Sequence, residues 1–173
     1  MSLFPPSLIS PDVSTSLPPP YTIRPLERED YTRGFLDCLS DLTWVGGYSE
    51  KEFYERYDWL ATSGKDWYYN VVIDDGQRIV GTATMIVERK FIHNRGIIGH
   101  IEEVVVSKDQ QGKRLGIKLI QAIDSIAVNL GCYKTILDTA ERNAGFYAKC
   151  GYERAGVEMS HYYEPFTEQY KRG

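Results

Sequence analysis

The chain has 173 residues, of which 42% are hydrophobic and 25% are charged. Such values are typical of one globular domain with a real core, and they exclude a wholly disordered chain. The formal net charge of −4 gives no reason to expect nucleic-acid binding, which depends on clustered positive charge.

Cysteine and histidine usage bears on metals and on the compartment. The three cysteines, Cys38, Cys132 and Cys150, form no CxxC pair, and the histidines lack HExxH spacing. We therefore expect free thiols in a reducing compartment, a cytoplasmic location, and neither a zinc site nor a catalytic metal.

Residues 1–20 stand apart in composition. They are rich in proline and carry Asp12 as their single charged side chain. They combine neither a basic start nor a long apolar run, so the segment predicts neither a signal peptide nor membrane insertion. We predict a disordered tail over 1–20, followed by one domain over 21–173.

The rest of the chain alternates between strand and helix patterns. Strands are predicted at 21–26, 67–73, 78–89, 97–106, 133–138 and 152–159. Helices are predicted at 30–42, after the capping box that begins at Ser49, at 115–130 and at 141–149. Asp74, Asp75 and Gly76 form the expected hairpin turn. This order indicates a mixed sheet covered by helices.

One junction suggests an anion site. The strand ending at Val106 runs into a turn that contains Gly112, Lys113, Arg114 and Gly116, and an amphipathic helix begins directly afterwards. Free N–H groups at a helix start, together with basic side chains and glycine, can bind a pyrophosphate.

The element order, with this turn after the fourth strand, resembles the GCN5-related N-acetyltransferase (GNAT) fold. Several separated blocks are similar to the eukaryotic glucosamine-6-phosphate N-acetyltransferase family: residues 88–93, 99–103, 131–134 and 143–152. The resemblance covers about residues 21–161. It implies a mixed α/β fold, with a central twisted sheet of about six to seven strands flanked by about four helices.

The same resemblance implies the reaction and its cofactor. The acetyl group of acetyl-CoA would pass to the amine of D-glucosamine 6-phosphate, a step toward UDP-N-acetylglucosamine. The implied donor site comprises Val104, Val105, Val106, Gln111, Gly112, Lys113, Arg114, Leu115, Gly116, Ile117, Asn143 and Tyr147. Arg114 departs from the family pattern, which has glycine there, although only backbone amides are needed at that position.

By resemblance, the catalytic residues are Tyr147, Asp138 and Glu102. A phenol can donate a proton to the departing thiol, since its ordinary pKa is about 10 and that of a thiol about 8.5. Asp138 would hold the amine, although its sequence also fits an Asp-led helix cap. Threonine at position 139, where the family often has cysteine, favours direct transfer in a ternary complex over an acyl-enzyme.

The implied sugar-phosphate site comprises Thr43, Lys90, Phe91, Ile92, His93, Glu102, Glu103, Val104, Tyr133, Lys134 and Asp138. Adjacent glutamates on a strand face opposite sides, so we favour Glu102 for the site. His93 and His100 are interpreted as turn or packing residues. Some family members carry a C-terminal arginine where Tyr162 stands here, leaving Arg154, Lys171 or Arg172 as alternatives. A homodimer with exchanged C-terminal strands and shared sites is also implied.

Two other functions remain open from sequence. One is a protein or peptide N-acetyltransferase of the same fold, for which an acidic groove would be expected. The other is a noncatalytic acyl-CoA-binding module. Lys90 and Lys134 favour a phosphorylated small molecule over a peptide, and Tyr147 with Asn143 favours catalysis.

Overall fold

The computed structural model describes residues 2–165 and 167–170. Its strands are β1 (Thr22–Pro25), β2 (Tyr68–Asp74), β3 (Ile79–Arg89), β4 (Ile97–Val106) and β5 (Lys134–Leu137). Its α-helices are α1 (Pro11–Thr15), α2 (Phe35–Ser40), α3 (Glu50–Ala61), α4 (Ile92–Arg95), α5 (Leu115–Asn129) and α6 (Ala144–Lys149). Short 3-10 helices lie at Pro6–Leu8, Arg28–Tyr31, Lys108–Gln110, Glu141–Asn143 and Glu168–Tyr170.

The five strands of the described chain form one mixed sheet in the order β1-β2-β3-β4-β5. Neighbours are antiparallel from β1 to β4, and β4 pairs with β5 in parallel. The mixed sheet predicted from sequence is confirmed, with a strand count slightly below the six to seven expected. The predicted strand over 152–159 is wrong within this chain, because that segment has no sheet neighbour and most of it is exposed.

The apolar stripe of α5 forms the centre of the core. Leu119, Ile120, Ile123 and Ile126 are completely buried on this helix, which packs against β2, β3 and β4. Burying each such side chain contributes about 1.5–3 kcal/mol. The helix therefore fixes the turn at its own start relative to the sheet.

The predicted helix over 30–42 is interrupted. Gly34 takes a left-handed φ of +79° between the 3-10 helix Arg28–Tyr31 and α2. This conformation costs free energy for residues other than glycine, so Gly34 allows the chain to change direction there.

The N-terminal segment differs from the prediction of a disordered tail. Residues 2–20 are ordered, and their apolar side chains enter the core. The backbone N–H of Ser10 donates to Ser125 Oγ (3.1 Å), and Asn129 Nδ2 donates to the Leu8 carbonyl (2.9 Å), so the segment lies along α5. The prolines of this segment suggested disorder, but the apolar residues between them pack into a groove along α5. The buried ones are Leu3, Phe4, Ile9, Val13 and Leu17.

An ion network joins the first elements to the sheet. Arg24 makes a bidentate pair with Asp30, with both distances 2.8 Å, and also contacts Asp74 at 3.0 Å. Arg33 contacts the other oxygen of Asp74 at 2.6 Å. Asp30 is 1% exposed, and its charge is matched by the arginine, as a buried carboxylate requires.

Among the described residues, no helix combines the length and the apolar character needed to cross a bilayer.

Candidate active site

The predicted anion-binding turn lies between β4 and α5. After the 3-10 helix at Lys108–Gln110, the backbone takes left-handed φ angles of +81° at Gly112 and +63° at Arg114. α5 then begins at Leu115, and the Arg114 side chain makes no cap hydrogen bond. A Cβ added at Gly112 would meet nothing within 4 Å. The turn therefore leaves room for an anion against the N–H groups of a helix start.

Side chains stiffen this turn from outside. Lys113 Nζ donates to Gln110 Oε1 (2.7 Å) and to the Tyr21 hydroxyl (3.0 Å), and that hydroxyl donates to the same Gln110 oxygen (2.8 Å). The left-handed conformation of Arg114 costs about 1–2 kcal/mol relative to glycine. Arginine in place of the family's glycine therefore strains the backbone at position 114, but the turn keeps its shape.

Gly116 sets the distance between α5 and α6. A Cβ there would lie 3.1 Å from the Phe146 ring, which is closer than nearly all real contacts. The glycine lets α6 approach the helix start, and α6 carries the predicted leaving-group residue Tyr147.

β4 and β5 separate where the site begins. Their parallel pairing covers only Ile98 to Ile101 on β4 and Lys134 to Leu137 on β5, whereas β4 continues to Val106. Opposite β3, the register shifts between Thr82 and Thr84 and Glu103 takes a φ of +54°. Along residues 102–106, no described strand pairs with β4 on the β5 side, so backbone groups there can accept an added extended chain.

Three polar side chains lie close together at the gap between β4 and β5: the predicted Glu102 and Asp138, and their neighbour His100. His100 Nε2 lies 3.4 Å from Glu102 Oε1 and 3.4 Å from Asp138 Oδ2. His100 and Glu102 share one face of β4 because they are two residues apart. Asp138 directly follows β5, whose carboxyl end lies beside Ile101. The parallel strands thus bring both carboxylates to one edge.

The helix-cap interpretation of Asp138 is wrong. Ala140 occupies the cap position of the 3-10 helix Glu141–Asn143, and no side chain caps that helix. The Asp138 carboxylate faces His100 instead, at the mouth of the gap between the strands.

Glu103 occupies a different environment from Glu102. The Thr84 hydroxyl donates to Glu103 Oε2 (3.1 Å), and Asn70 Nδ2 donates to the Thr84 oxygen (2.6 Å). Partial burial of the carboxyl raises the pKa of Glu103, although the residue as a whole keeps solvent contact. Glu102 is the glutamate that lies near His100 and Asp138, and its preference for the acceptor site stays a prediction.

Tyr147 lies on α6 in electrostatic reach of Glu102. Burial raises the pKa of Tyr147 above its ordinary value, with smaller contributions from Cys150 and the Glu102 charge. Its ring contacts Phe146 and Tyr152, with centroids 5.0 Å and 6.2 Å away. The phenol therefore keeps its proton at neutral pH and can act as a donor.

Comparison with known proteins identifies the family of this chain. Residues 22–152 match the profile of the acetyltransferase (GNAT) family. The chain belongs to the acetyltransferase (GNAT) family. It is 41% identical to the glucosamine 6-phosphate N-acetyltransferase of Candida albicans over 143 residues, which is 83% of this chain and 96% of that protein. It is 38% identical to glucosamine 6-phosphate N-acetyltransferase 1 of Dictyostelium discoideum, over 82% of this chain and 90% of that one.

A solved structure shows the same GNAT fold. The crystal structure of glucosamine-6-phosphate N-acetyltransferase from Arabidopsis thaliana superposes with a TM-score of 0.80. It is 36% identical to this chain and covers 83% of it and 99% of the plant chain. The resemblance inferred from the sequence blocks is thereby confirmed.

The predicted phosphate-binding residues of this GNAT domain gather at the opposite end of β4 and β5. The His93 ring lies 5.2 Å from that of Tyr133, and Lys134 Nζ lies 5.9 Å from the Tyr133 centroid. Asp138 follows Lys134 by four positions, or about 13 Å along an extended chain. Lys90 Nζ contacts Glu88 Oε2 at 2.7 Å, which offsets part of its positive charge.

The remaining predicted site residues lie in loops and short helical segments. Phe91 is 100% exposed and Ile92 62% exposed, and the next three residues, 93–95, have left-handed φ, so the short segment α4 is not a regular helix. Asn143 is exposed and makes no cap bond to α6. Thr43 lies in the loop after α2. This loop contacts the segment between β4 and α5, since Asp41 accepts a hydrogen bond from the Lys108 N–H (2.9 Å).

The residues considered for the C-terminal phosphate contact have different surroundings. Arg154 pairs with Glu141, so its guanidinium already faces a carboxylate. Lys171 and Arg172 lie outside the described residues. Tyr162 is 49% exposed.

Sequence reasoning missed two contributors. His100 was interpreted as a packing residue, although its spacing of two from Glu102 on a strand placed it on the same face. Tyr21 lies 92 positions from the lysine it contacts, and no local pattern could have indicated that contact.

The ligand atoms of His100, Glu102 and Asp138 also lie within 4.8 Å of one another, a spacing that could hold a metal ion. The metal-free site stays a prediction.

Proposed function

We propose that this protein transfers the acetyl group of acetyl-CoA to the amine of D-glucosamine 6-phosphate, giving N-acetyl-D-glucosamine 6-phosphate and CoA. The observation that carries the proposal is the 41% identity to a relative of that name across 96% of its length. Glu102 and Asp138, which lie together around His100, and Tyr147, within electrostatic reach of Glu102, would supply the acid-base groups that such a transfer needs.

The donor would lie in the gap between β4 and β5. Its pantetheine arm would pair with the backbone of Val104, Val105 and Val106 as an added strand does. Its pyrophosphate would meet the amides of residues 112–117. The open space beside Gly112 and the free helix start fit an anion of that size.

The acceptor amine would be held by Asp138 and Glu102. It arrives as an ammonium, which is attracted to two carboxylates and must lose one proton before attack. The Glu102 or Asp138 carboxylate would take that proton. The neutral nitrogen would then form a bond to the acetyl carbon, the carbon–sulfur bond would break, and the Tyr147 phenol would donate its proton to the departing sulfur. The nitrogen would lose its second proton as the amide forms, which balances the proton that returns to the Tyr147 phenolate. Asn143, one turn before Tyr147, would help to position the donor.

The phosphate would lie toward Tyr133, Lys134 and His93. An exposed lysine next to an aromatic ring supplies charge for a dianion. The span of about 13 Å from Asp138 is long enough for a hexose phosphate between the two ends. Thr43, Lys90, Phe91 and Ile92 complete the proposed sugar-phosphate site from neighbouring loops.

A homodimer with exchanged C-terminal strands forms part of the proposal. In the described chain, β5 has a strand neighbour only on its β4 side. Residues 153–163 lack secondary structure in the described chain, and Val157 and Met159 are 90% and 92% exposed. A partner edge would cover this apolar segment. Val157→Asp combined with Met159→Asp should shift the mass measured by light scattering from dimer to monomer; an unchanged mass would contradict the exchange.

The direct experiment measures thiol release from acetyl-CoA in the presence of glucosamine 6-phosphate, glucosamine or a lysine peptide. Turnover should be greatest with the phosphorylated sugar. Turnover with the peptide alone would support a peptide acetyltransferase, and none with any amine would support an acyl-CoA-binding module. We place the reaction in the cytoplasm, in keeping with the three free cysteines.

A further inference from the structure

His100 lies between Glu102 and Asp138, the two carboxylates proposed to hold the acceptor. Its Nε2 is 3.4 Å from Glu102 Oε1 and 3.4 Å from Asp138 Oδ2. That nitrogen is buried and has no hydrogen-bond partner within the described part of the chain. The Glu102 and Asp138 side chains are 30% and 35% exposed. The ring nitrogen is thus shielded from solvent, whereas the carboxylates around it keep access to a ligand.

The other side of the imidazole is also occupied. Nδ1 lies 3.8 Å from Glu88 Oε1, and the second oxygen of Glu88 contacts Lys90 Nζ at 2.7 Å. Charged groups therefore run in a row from the loop after β3 to the acceptor carboxylates. At 3.8 Å, Glu88 makes no direct hydrogen bond to the ring, but its carboxylate lies on the side of the imidazole away from Glu102 and Asp138.

Two carboxylates that meet at one point repel each other. A proton on Nε2 places a donor between them, and distances of 3.4 Å shorten readily when a ligand closes the site. We propose that His100 is a positioning residue that keeps Glu102 and Asp138 convergent on the acceptor ammonium. This inference rests on the proposed function, because the carboxylates matter only if an amine binds there.

The expected effect follows from orientation. A displacement of about 1 Å in a group that aligns a reactant can cost roughly 100-fold in rate. Since His100 acts through two other side chains, we expect its loss to lower kcat by roughly 10- to 100-fold. The Michaelis constant for acetyl-CoA should stay unchanged, because the proposed donor contacts are on residues 104–106 and in the turn at 112–117.

The test compares His100→Gln with His100→Leu, two variants of similar volume. Glutamine keeps an N–H donor near the carboxylates, and leucine does not. Leucine should lower kcat for glucosamine 6-phosphate by the stated factor, and glutamine should recover much of it. EDTA in the assay removes any contribution from a bound metal, and the melting temperature reports damage to the fold.

A double-mutant cycle separates positioning from packing. In the Glu102→Gln background, His100→Leu should cost less than it does alone, because the residue it orients is already neutralised. Additive losses, a leucine variant as active as wild type, or glutamine no better than leucine would overturn the inference. Wild-type inactivity toward glucosamine 6-phosphate would instead refute the proposed function, so the two failures are distinguishable.

Discussion

Replacing Tyr147 by phenylalanine removes one hydroxyl and keeps the ring. The ring contacts with Phe146 and Tyr152, at 5.0 Å and 6.2 Å between centroids, remain available to phenylalanine. The variant should therefore fold with an unchanged core, and its defect should be confined to proton donation.

The magnitude follows from the role assigned to the phenol. Burial raises the pKa of Tyr147 above 10.0, so nearly every molecule carries the donor proton at neutral pH. A positioned proton donor contributes roughly 10²- to 10⁴-fold, or about 2.7–5.5 kcal/mol of barrier. We expect kcat of Tyr147→Phe to fall within this range, with the dissociation constant for acetyl-CoA changed less than threefold or so.

Thiol release measures kcat, and calorimetric titration measures donor affinity. A variant that retains wild-type kcat would refute the leaving-group role, and a matching loss of donor affinity would make the hydroxyl a binding group. The raised pKa also makes the free energy of unfolding depend on pH. The stability that the protonated Tyr147 contributes is fully present below about pH 10 and is lost as the pH rises through the folded-state pKa. Tyr147→Phe should lack this part of alkaline destabilisation.

The remaining predictions concern phosphate binding, the N-terminal segment and the ion network. Lys134→Ala should raise the Michaelis constant for glucosamine 6-phosphate by roughly tenfold with little change in kcat, since about 1.4 kcal/mol corresponds to that factor. Phe4→Ala should lower the free energy of unfolding by about 3 kcal/mol in urea titration, because Phe4 is 7% exposed and packs 5.2 Å from the Tyr69 ring. Asp30→Asn should lower the free energy of unfolding by about 1–3 kcal/mol in the same titration, because Arg24 loses a charged hydrogen-bond partner while it keeps Asp74.

Each has a matched control. Lys51→Ala removes a lysine whose side chain is 84% exposed and should leave the sugar-phosphate Michaelis constant unchanged. Phe91→Ala removes a fully exposed ring and should not move the urea midpoint. Asp58→Asn breaks an exposed arginine pair and should have a far smaller effect than Asp30→Asn. Equal effects in variant and control would contradict the corresponding prediction.

Sequence periodicity located the sheet and α5 because their signals are local. The apolar stripe from Leu115 to Leu130 and the Asp74–Gly76 turn depend on residues close in the chain. The N-terminal segment was misjudged because its order depends on a groove formed by α5, more than 100 positions away. The strand predicted over 152–159 carries an apolar pattern, but in the described chain this segment pairs with no strand, although the outer edge of β5 is unpaired.

For the site, the resemblance supplied residue identities and the structure supplied their arrangement. Parallel pairing of β4 with β5 explains why Glu102 and Asp138 meet, and the chemistry of both could be anticipated. His100 could have been placed on their face from its spacing, yet its 3.4 Å distances to both carboxylates depend on the strand register, which no single-sequence pattern encodes.

The divergence of β4 from β5 has a consequence for how this enzyme could change over time. Where recognition of the thioester arm relies on main-chain atoms, substitutions along residues 104–106 need only preserve strand geometry. Loops at the far end of the same two strands are then free to adapt to new amines without disturbing how the activated acetyl is captured.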